Sequence, residues 1–312
     1  MNKPFLTIGE QVELLNSRGM QIDNDTYRIL QREGYYSIVN GYKDTFIDSA
    51  ATNKCGDDRY LPGSKFVDMY ATFQFDRELR ELTFDYLIRA EATAKTAIAY
   101  CFSEKHREAD AALQKESYCQ VNDFRFPERY DTELKDLISR LENSIKNSQS
   151  DFIKHYRKHH ESIPLWVLVN DLTFGNISHF YNLMKPVERN SACKMIVQAT
   201  GRNTGVSKYQ LTQEKASICL EVLYKFRNKC AHDERLYNAR VGGRKSINYV
   251  GMLEFLEPFL TQDEFNSLIT NLLTLIASHQ SKNPTIAKLL NPLGFFELGS
   301  IIEKRLSTPI KR

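Results

Sequence analysis

What this chain lacks narrows it first. Its six cysteines (Cys55, Cys101, Cys119, Cys193, Cys219 and Cys230) are scattered and form no Cys-x-x-Cys pair. That argues against a zinc site or a disulfide framework and for reduced thiols in the cytoplasm. No apolar run approaches the roughly 18 residues that a membrane helix needs. The start, Met1-Asn2-Lys3-Pro4-Phe5-Leu6-Thr7, lacks the apolar core of a signal peptide. An excess of one charge is missing too: 42 Lys+Arg face 39 Asp+Glu, a net +3, with a pI of about 8.4. Any nucleic-acid contact must therefore come from a local patch and not from a global field. No run of alternating strands, no internal repeat and no low-complexity segment is visible.

What is present is helix. The chain has 312 residues, 42% of them hydrophobic, enough for a large core. Thr7-Ile8-Gly9-Glu10 fits a capping box, and the helix after it stops near Gly19. A second short helix begins between Asp23 and Asp25 and ends at Gly34. Residues 49–64 are polar, with Gly56, Pro62 and Gly63, and read as a loop. From Lys65 to about Ser103 there is no Gly or Pro, and apolar residues recur at helical spacing, which predicts one long helix. Residues 104–130 look irregular, and another helix covers about 131–146. Pro164 to Met184 reads as two helices broken at Gly175, and residues 201–212 as a polar loop. Further helices fill residues 250–306, punctuated by Pro258, Pro284 and Pro292. The domain reading is a helical extension over residues 1–63 and a helical domain over residues 64–312.

The most informative stretch is Arg227-Asn228-Lys229-Cys230-Ala231-His232. Cys219, Val222, Leu223, Phe226 and Cys230 form one apolar stripe on its helix. At about 100° per residue, Tyr224, Asn228, His232 and Arg235 fall on the opposite face, with Arg227 on the flank. Asn228 and His232 are i, i+4 neighbours, so their side chains can meet. Lys225, Lys229, Arg240, Arg244 and Lys245 add positive charge, partly offset by Asp233 and Glu234.

This chemistry suits RNA. Cleavage beside a 2′-hydroxyl needs a base for that hydroxyl, an acid for the leaving oxygen and positive charge on the crowded phosphorus. Histidine serves as acid or base near neutral pH, and arginine supplies a fixed bidentate charge. An Arg followed five residues later by His arises by chance on the order of once in a chain of this size. A plainer reading therefore stands beside it: His232 caps the helix C-terminus and Arg227 makes a surface ion pair.

Four segments carry a wider resemblance. The first is Lys3-Pro4-Phe5-Leu6-Thr7 with Gln11-Val12-Glu13-Leu14-Leu15, Gly34-Tyr35-Tyr36 and Asn40-Gly41-Tyr42. Phe75-Asp76-Arg77-Glu78-Leu79-Arg80 is the second. Third comes Pro164-Leu165-Trp166-Val167 with Leu172-Thr173-Phe174-Gly175-Asn176-Ile177-Ser178, and last the Arg227–His232 run with Arg235-Leu236-Tyr237-Asn238. In these the chain resembles the abortive-infection proteins of the AbiD/AbiF type, within the HEPN superfamily. The resemblance implies an all-α HEPN-type helical bundle and a role in bacterial defence against phage. It implies a homodimer in which two Arg–His motifs face one composite site, with Arg227 and His232 as the active pair and Asn228 as the polar residue after the arginine. A small structured noncoding RNA is the implied partner, and no cofactor or metal is implied. Many relatives carry a second histidine after the motif histidine; this chain has Asp233 there, which removes one proton carrier.

Other features have two readings each. Glu91 and Lys95 are i, i+4 and read as a solvent-exposed pair, although in HEPN domains a polar residue from an early helix can approach the motif. Lys154-His155-Tyr156-Arg157-Lys158-His159-His160 is basic, with an aromatic inside. Lys154, Arg157 and Lys158 can track an RNA backbone; the bland alternative is a solvated helix end. Tyr35, Tyr36, Tyr42, Phe124 and Phe126 can stack on unpaired bases or fill the core. Trp166, between Leu165 and Val167, reads as core. The two N-terminal helices also invite a DNA-binding alternative, with Arg28 and Arg32 as its cations.

Overall fold

Caps and breakers set the helix boundaries of this all-α chain. The computed structural model describes residues 4–204, 207–208, 210–242 and 246–299. Helix α1 (Ile8–Ser17) starts on the capping box: the Glu10 amide donates to the Thr7 hydroxyl at 3.4 Å, and the Thr7 amide donates to the Glu10 carboxylate at 2.7 Å. Helix α2 (Thr26–Glu33) ends at Gly34, whose φ of 81° an L side chain rarely adopts. A π-turn over Tyr36–Asn40 follows. Helix α3 (Ser49–Cys55) lies inside the stretch expected to be a loop. Its composition is polar, yet the Ala51 amide donates to Asp48 at 3.0 Å and Gly56 closes it in the left-handed region.

Helix α4 (Phe66–Lys105) runs 40 residues without a glycine or proline to stop it. After four 3-10 turns come α5 (Tyr130–Asn147), α6 (Asp151–His159), α7 (Leu165–Leu168) and α8 (Phe174–Leu183). The break expected at Gly175 lies earlier, at residues 169–173. There Thr173 caps α8 by accepting from the Asn176 amide at 3.2 Å, so Gly175 sits inside the first turn. Then follow α9 (Pro186–Ala199), α10 (Gln213–Ala231), α11 (Tyr249–Leu256), α12 (Gln262–Lys282) and α13 (Thr285–Leu290). Strands among the described residues are two-residue antiparallel pairs: β1 (Asn203–Thr204) with β2 (Ser207–Lys208), and β3 (Arg240–Val241) with β4 (Ile247–Asn248).

The chain divides into two units. Within the described residues the first takes in 4–82, 235–238 and 269–299, and the second takes in 83–234 and 239–268. In the first unit α1 packs on α2, and Leu15, Ile38, Phe66 and Phe75 are fully enclosed. Phe75 meets Phe295 edge-on at 6.4 Å, and Asn283 donates to Asp68 at 2.8 Å. In the second unit α10 packs among α8, α9 and α11. Phe226, Leu223 and Cys219 are completely buried, and each large apolar side chain so enclosed contributes roughly 1.5–3 kcal/mol. The second half of α4 belongs here as well: Phe102 packs edge-on against Phe180 at 4.9 Å.

Candidate functional site

Helix α10 carries the Arg–His motif. The Lys215 amide donates to the Thr212 hydroxyl at 3.2 Å and opens the helix. Its C-terminus closes where the Glu234 amide reaches back to the Lys229 carbonyl at 3.0 Å, with Asp233 at φ 56°. That is a Schellman ending with Asp in place of the usual glycine; short polar side chains tolerate the left-handed region. His232 is the C-cap residue itself and is exposed. It meets Asn228 through the main chain, its amide donating to the Asn228 carbonyl at 2.9 Å. The Asn228 side chain accepts from Arg227 Nη1 at 3.4 Å. Because the helix stops at Ala231, Arg235 is not on its polar face as the periodicity predicted.

Arg227 is held from behind. Its Nε donates to Glu91 Oε2 at 3.1 Å, and Lys95 Nζ lies 2.9 Å from Glu91 Oε1. The side chains of Glu91, Lys95 and Arg227 are 8%, 16% and 25% exposed, so Glu91 and Lys95 are not the solvent-exposed pair their spacing suggested. One enclosed carboxylate serves two cations and fixes the plane of the guanidinium. Among the described residues Arg227 Nη2 donates to no partner, so that edge is left for an anion.

The other cations divide. Lys225 pairs with Glu221 at 2.6 Å, Lys229 with Glu234 at 2.7 Å and Arg235 with Asp44 at 2.7 Å. Such part-exposed pairs contribute about 0–1 kcal/mol and exchange readily for phosphate. Arg240 is exposed on β3, 3.5 Å from the Ser246 hydroxyl. Arg244 and Lys245 lie outside the described residues. On α6, Lys154 and Lys158 are exposed and have no acidic partner among the described residues. Arg157 is committed to structure: it donates to the Ile145 and Ser148 carbonyls at 2.9 and 3.0 Å, closing the end of α5.

A second polar centre, which sequence reasoning missed, sits in the first unit. Asp76 is fully buried. It accepts from the Tyr42 hydroxyl and Arg80 Nη1, each at 2.7 Å, from the Tyr237 amide at 2.7 Å and from the Leu236 amide at 3.1 Å. The Tyr42 and Tyr237 rings stack 6.2 Å apart. Burial pushes the Asp76 carboxyl above the usual range, while Tyr42, Arg80 and the two amides pull the other way. Burial likewise pushes the Tyr237 hydroxyl up to about 12. Three of the segments that carry the resemblance thus meet on one carboxylate: Asn40-Gly41-Tyr42, the Phe75–Arg80 run and Arg235-Leu236-Tyr237-Asn238.

The sequence profile of the Abi-like protein family matches residues 28–238. The chain belongs to the Abi-like family. No curated protein and no solved structure matches it. The matched span encloses the Asp76 centre and the Arg–His helix of this Abi-like protein, and it ends at Asn238, the last residue of the segment that Asp76 holds. Family membership supports a part in abortive infection.

Among the exposed-aromatic expectations, Tyr36 and Phe126 are 79% and 43% exposed, whereas Tyr42 and Phe124 are buried. Trp166 overturns its core assignment: it is 53% exposed while Leu165, Val167 and Leu168 beside it are buried. A cleft of about 550 Å³ between α9 and the start of α10, lined by Lys194, Gln198 and Thr212, opens at the far end of the motif helix. Burial pushes the Cys101 thiol up to about 11 and Cys219 to about 12, so neither is a ready nucleophile. Among the described residues no group of three or more His, Cys, Asp or Glu is placed to hold a metal, and no helix is long and apolar enough to cross a membrane.

Proposed function

We propose that this Abi-like protein is an RNA-binding effector of phage defence that acts in the cytoplasm, with Arg227, Asn228 and His232 as its RNA-cleaving site. The observation that carries this reading is Arg227 held through Nε by the enclosed Glu91 carboxylate, close along the chain to the exposed imidazole of His232. A guanidinium fixed on one edge and open on the other is built to take a phosphate.

In the reaction the ribose 2′-oxygen attacks the adjacent phosphorus and the 5′-oxygen of the next nucleotide leaves. An imidazole takes the 2′-proton, another returns a proton to the leaving oxygen, and arginine stabilises the charge that develops between. The products are a 2′,3′-cyclic phosphate and a 5′-hydroxyl. Each chain offers one motif histidine, since Asp233 follows His232. A homodimer of the HEPN type, with the two motifs facing, supplies the second. Lys225, Lys229, Arg235 and Arg240, together with Lys154 and Lys158 on α6, provide phosphate contacts along the strand. The partner implied by the resemblance is a small structured noncoding RNA. The DNA-binding alternative would draw on Arg28 and Arg32, both exposed and paired, Arg28 with Asp25 at 3.0 Å and Arg32 with Glu33 at 2.6 Å.

The test purifies the full-length protein from its native locus, sequences the nucleic acid that accompanies it, and compares wild type with His232→Ala on labelled RNA, with and without EDTA. Expected are one discrete small RNA, cleavage by wild type that EDTA leaves intact, and no cleavage by His232→Ala at an unchanged circular dichroism spectrum. Equal cleavage by the variant removes the assignment to this site. Binding without turnover by wild type replaces the nuclease with a protein that holds RNA on Arg227.

A further inference from the structure

Trp166 is the single tryptophan of the chain. It stands on α7, a one-turn helix of four residues introduced by Pro164. Leu165, Val167 and Leu168 point inward and are at most 9% exposed, while Trp166 is 53% exposed. The turn is braced: the Leu168 amide donates to the Pro164 carbonyl at 3.0 Å, and the Asn170 side chain donates to the Val167 carbonyl at 3.2 Å. A large flat side chain is thereby held toward solvent on a stiff support, where a core role is excluded.

The neighbouring helix α6 carries exposed cations, with the exposed acids Asp151 at its start and Glu161 just after its end. Helix α7 packs against α5 and α6, and residues 160–164 join α6 directly to it. Lys154 and Lys158 on α6 are exposed and carry no acidic partner among the described residues, and His155 and His159 are exposed beside them. Phe152 of the same helix is 41% exposed. An aromatic platform next to unpaired cations is what unpaired nucleic acid uses: bases stack on the ring and phosphates follow the charge. A protein partner matching this patch would have to be strongly acidic, whereas every RNA strand is.

We propose that Trp166 is a stacking platform for an unpaired base of bound RNA, with Lys154 and Lys158 on the flanking phosphates. This rests on the reading of the chain as an RNA-binding protein, but it concerns a surface separate from the Arg–His motif. It adds a subsite for single-stranded RNA that cleavage chemistry does not require.

The lone indole makes the proposal directly measurable. The probe is a fluorescein-labelled 2′-O-methyl oligoadenylate of about 12 nucleotides, within the usual reach of single-strand sites. Lacking the 2′-hydroxyl, it binds but cannot be cut. Anisotropy reports binding, and emission of the full-length protein excited at the indole reports stacking, in one titration. Expected is quenching of Trp166 that tracks the anisotropy curve. Trp166→Ala should weaken binding about 5- to 150-fold, as loss of one stacked base does, and Trp166→Phe should recover most of it. Lys154→Ala with Lys158→Ala should lower the slope of log affinity against log salt by about 0.7 per cation. Since Trp166 is exposed, the variants should keep the wild-type melting temperature. Anisotropy that rises without quenching, or a Trp166→Ala variant that binds as wild type does, overturns the platform and leaves the Arg–His reading standing. Absence of any binding also overturns it, and cleavage of ribo-substrate by wild type against His232→Ala then judges the motif independently. Indole emission that shifts with protein concentration alone overturns it in favour of a contact between copies of the chain.

Discussion

Replacing Glu91 with glutamine tests the arrangement behind the motif. Glu91 is 8% exposed at its side chain and accepts from two cations, Arg227 at 3.1 Å and Lys95 at 2.9 Å. Glutamine keeps the shape and one acceptor but removes the charge, leaving two cations facing a neutral amide. Breaking a fully buried pair costs roughly 3–5 kcal/mol; Arg227 and Lys95 retain some water, so about 2 kcal/mol is expected here. For a protein of this size that lowers the melting temperature by about 3 °C. Lys95→Met leaves the Glu91–Arg227 pair intact and should cost less than about 1 kcal/mol. The double variant should then be less destabilised than the two singles added, because methionine removes the repulsion that glutamine exposes. Cleavage and binding should part company. A guanidinium no longer fixed through Nε lowers cleavage by about 100-fold. RNA affinity holds or rises, since the site gains one net positive charge, and the salt slope steepens by up to about 0.7. The assays are thermal melts of the four proteins, a cleavage time course and anisotropy titrations across a salt series. Equal melting temperatures for Glu91→Gln and Lys95→Met, or full cleavage by Glu91→Gln, would refute the reasoning.

Two further outcomes concern the first unit. Asp76→Ala strands the Leu236 and Tyr237 amides and removes the carboxylate to which the enclosed Arg80 donates, so it should cost about 3–5 kcal/mol; urea unfolding checks this, and a loss under 1 kcal/mol contradicts the bonding described. Glu33 is held below the usual carboxylate range first by the hydrogen bond from Arg77, aided by Arg32 and opposed by burial. Its contribution to stability is therefore present above the ordinary glutamate pKa, about 4.3, and is lost as pH falls through the lowered value. The urea midpoint should drop on acidification below about pH 4, and less steeply in Glu33→Gln; parallel curves would count against the pairing.

Local pattern made the helices and the motif legible. The stripe from Cys219 to Phe226 faces the core as its spacing predicts, and the Thr7–Glu10 box is present. Helix α3 escaped because its residues are polar and its signals are end signals, Asp48 and Gly56, that a loop can also carry. Trp166 misled for a related reason: apolar neighbours in sequence argue for burial, but on a single turn the residue between two inward-facing ones points out. Asp76 was out of reach of local pattern, and Glu91 came into view only through the resemblance, its own spacing arguing for a solvated pair. Their partners lie 160 and 136 residues away, and a carboxylate four residues from a cation looks the same on a solvated face as it does in a core.

Asp76 also dates the assembly of the first unit. A ribosome makes that unit in three pieces, and the Leu236 amide emerges 160 residues after the carboxylate it joins. At roughly 5–20 residues per second that is a wait of about 10–30 s. Helix α10 is synthesised in full within the interval, so every nascent chain carries the Arg–His helix before the first unit can close. A chain released early, from a ribosome stalled before residue 236, holds the motif while Asp76 still lacks the Leu236 and Tyr237 amides.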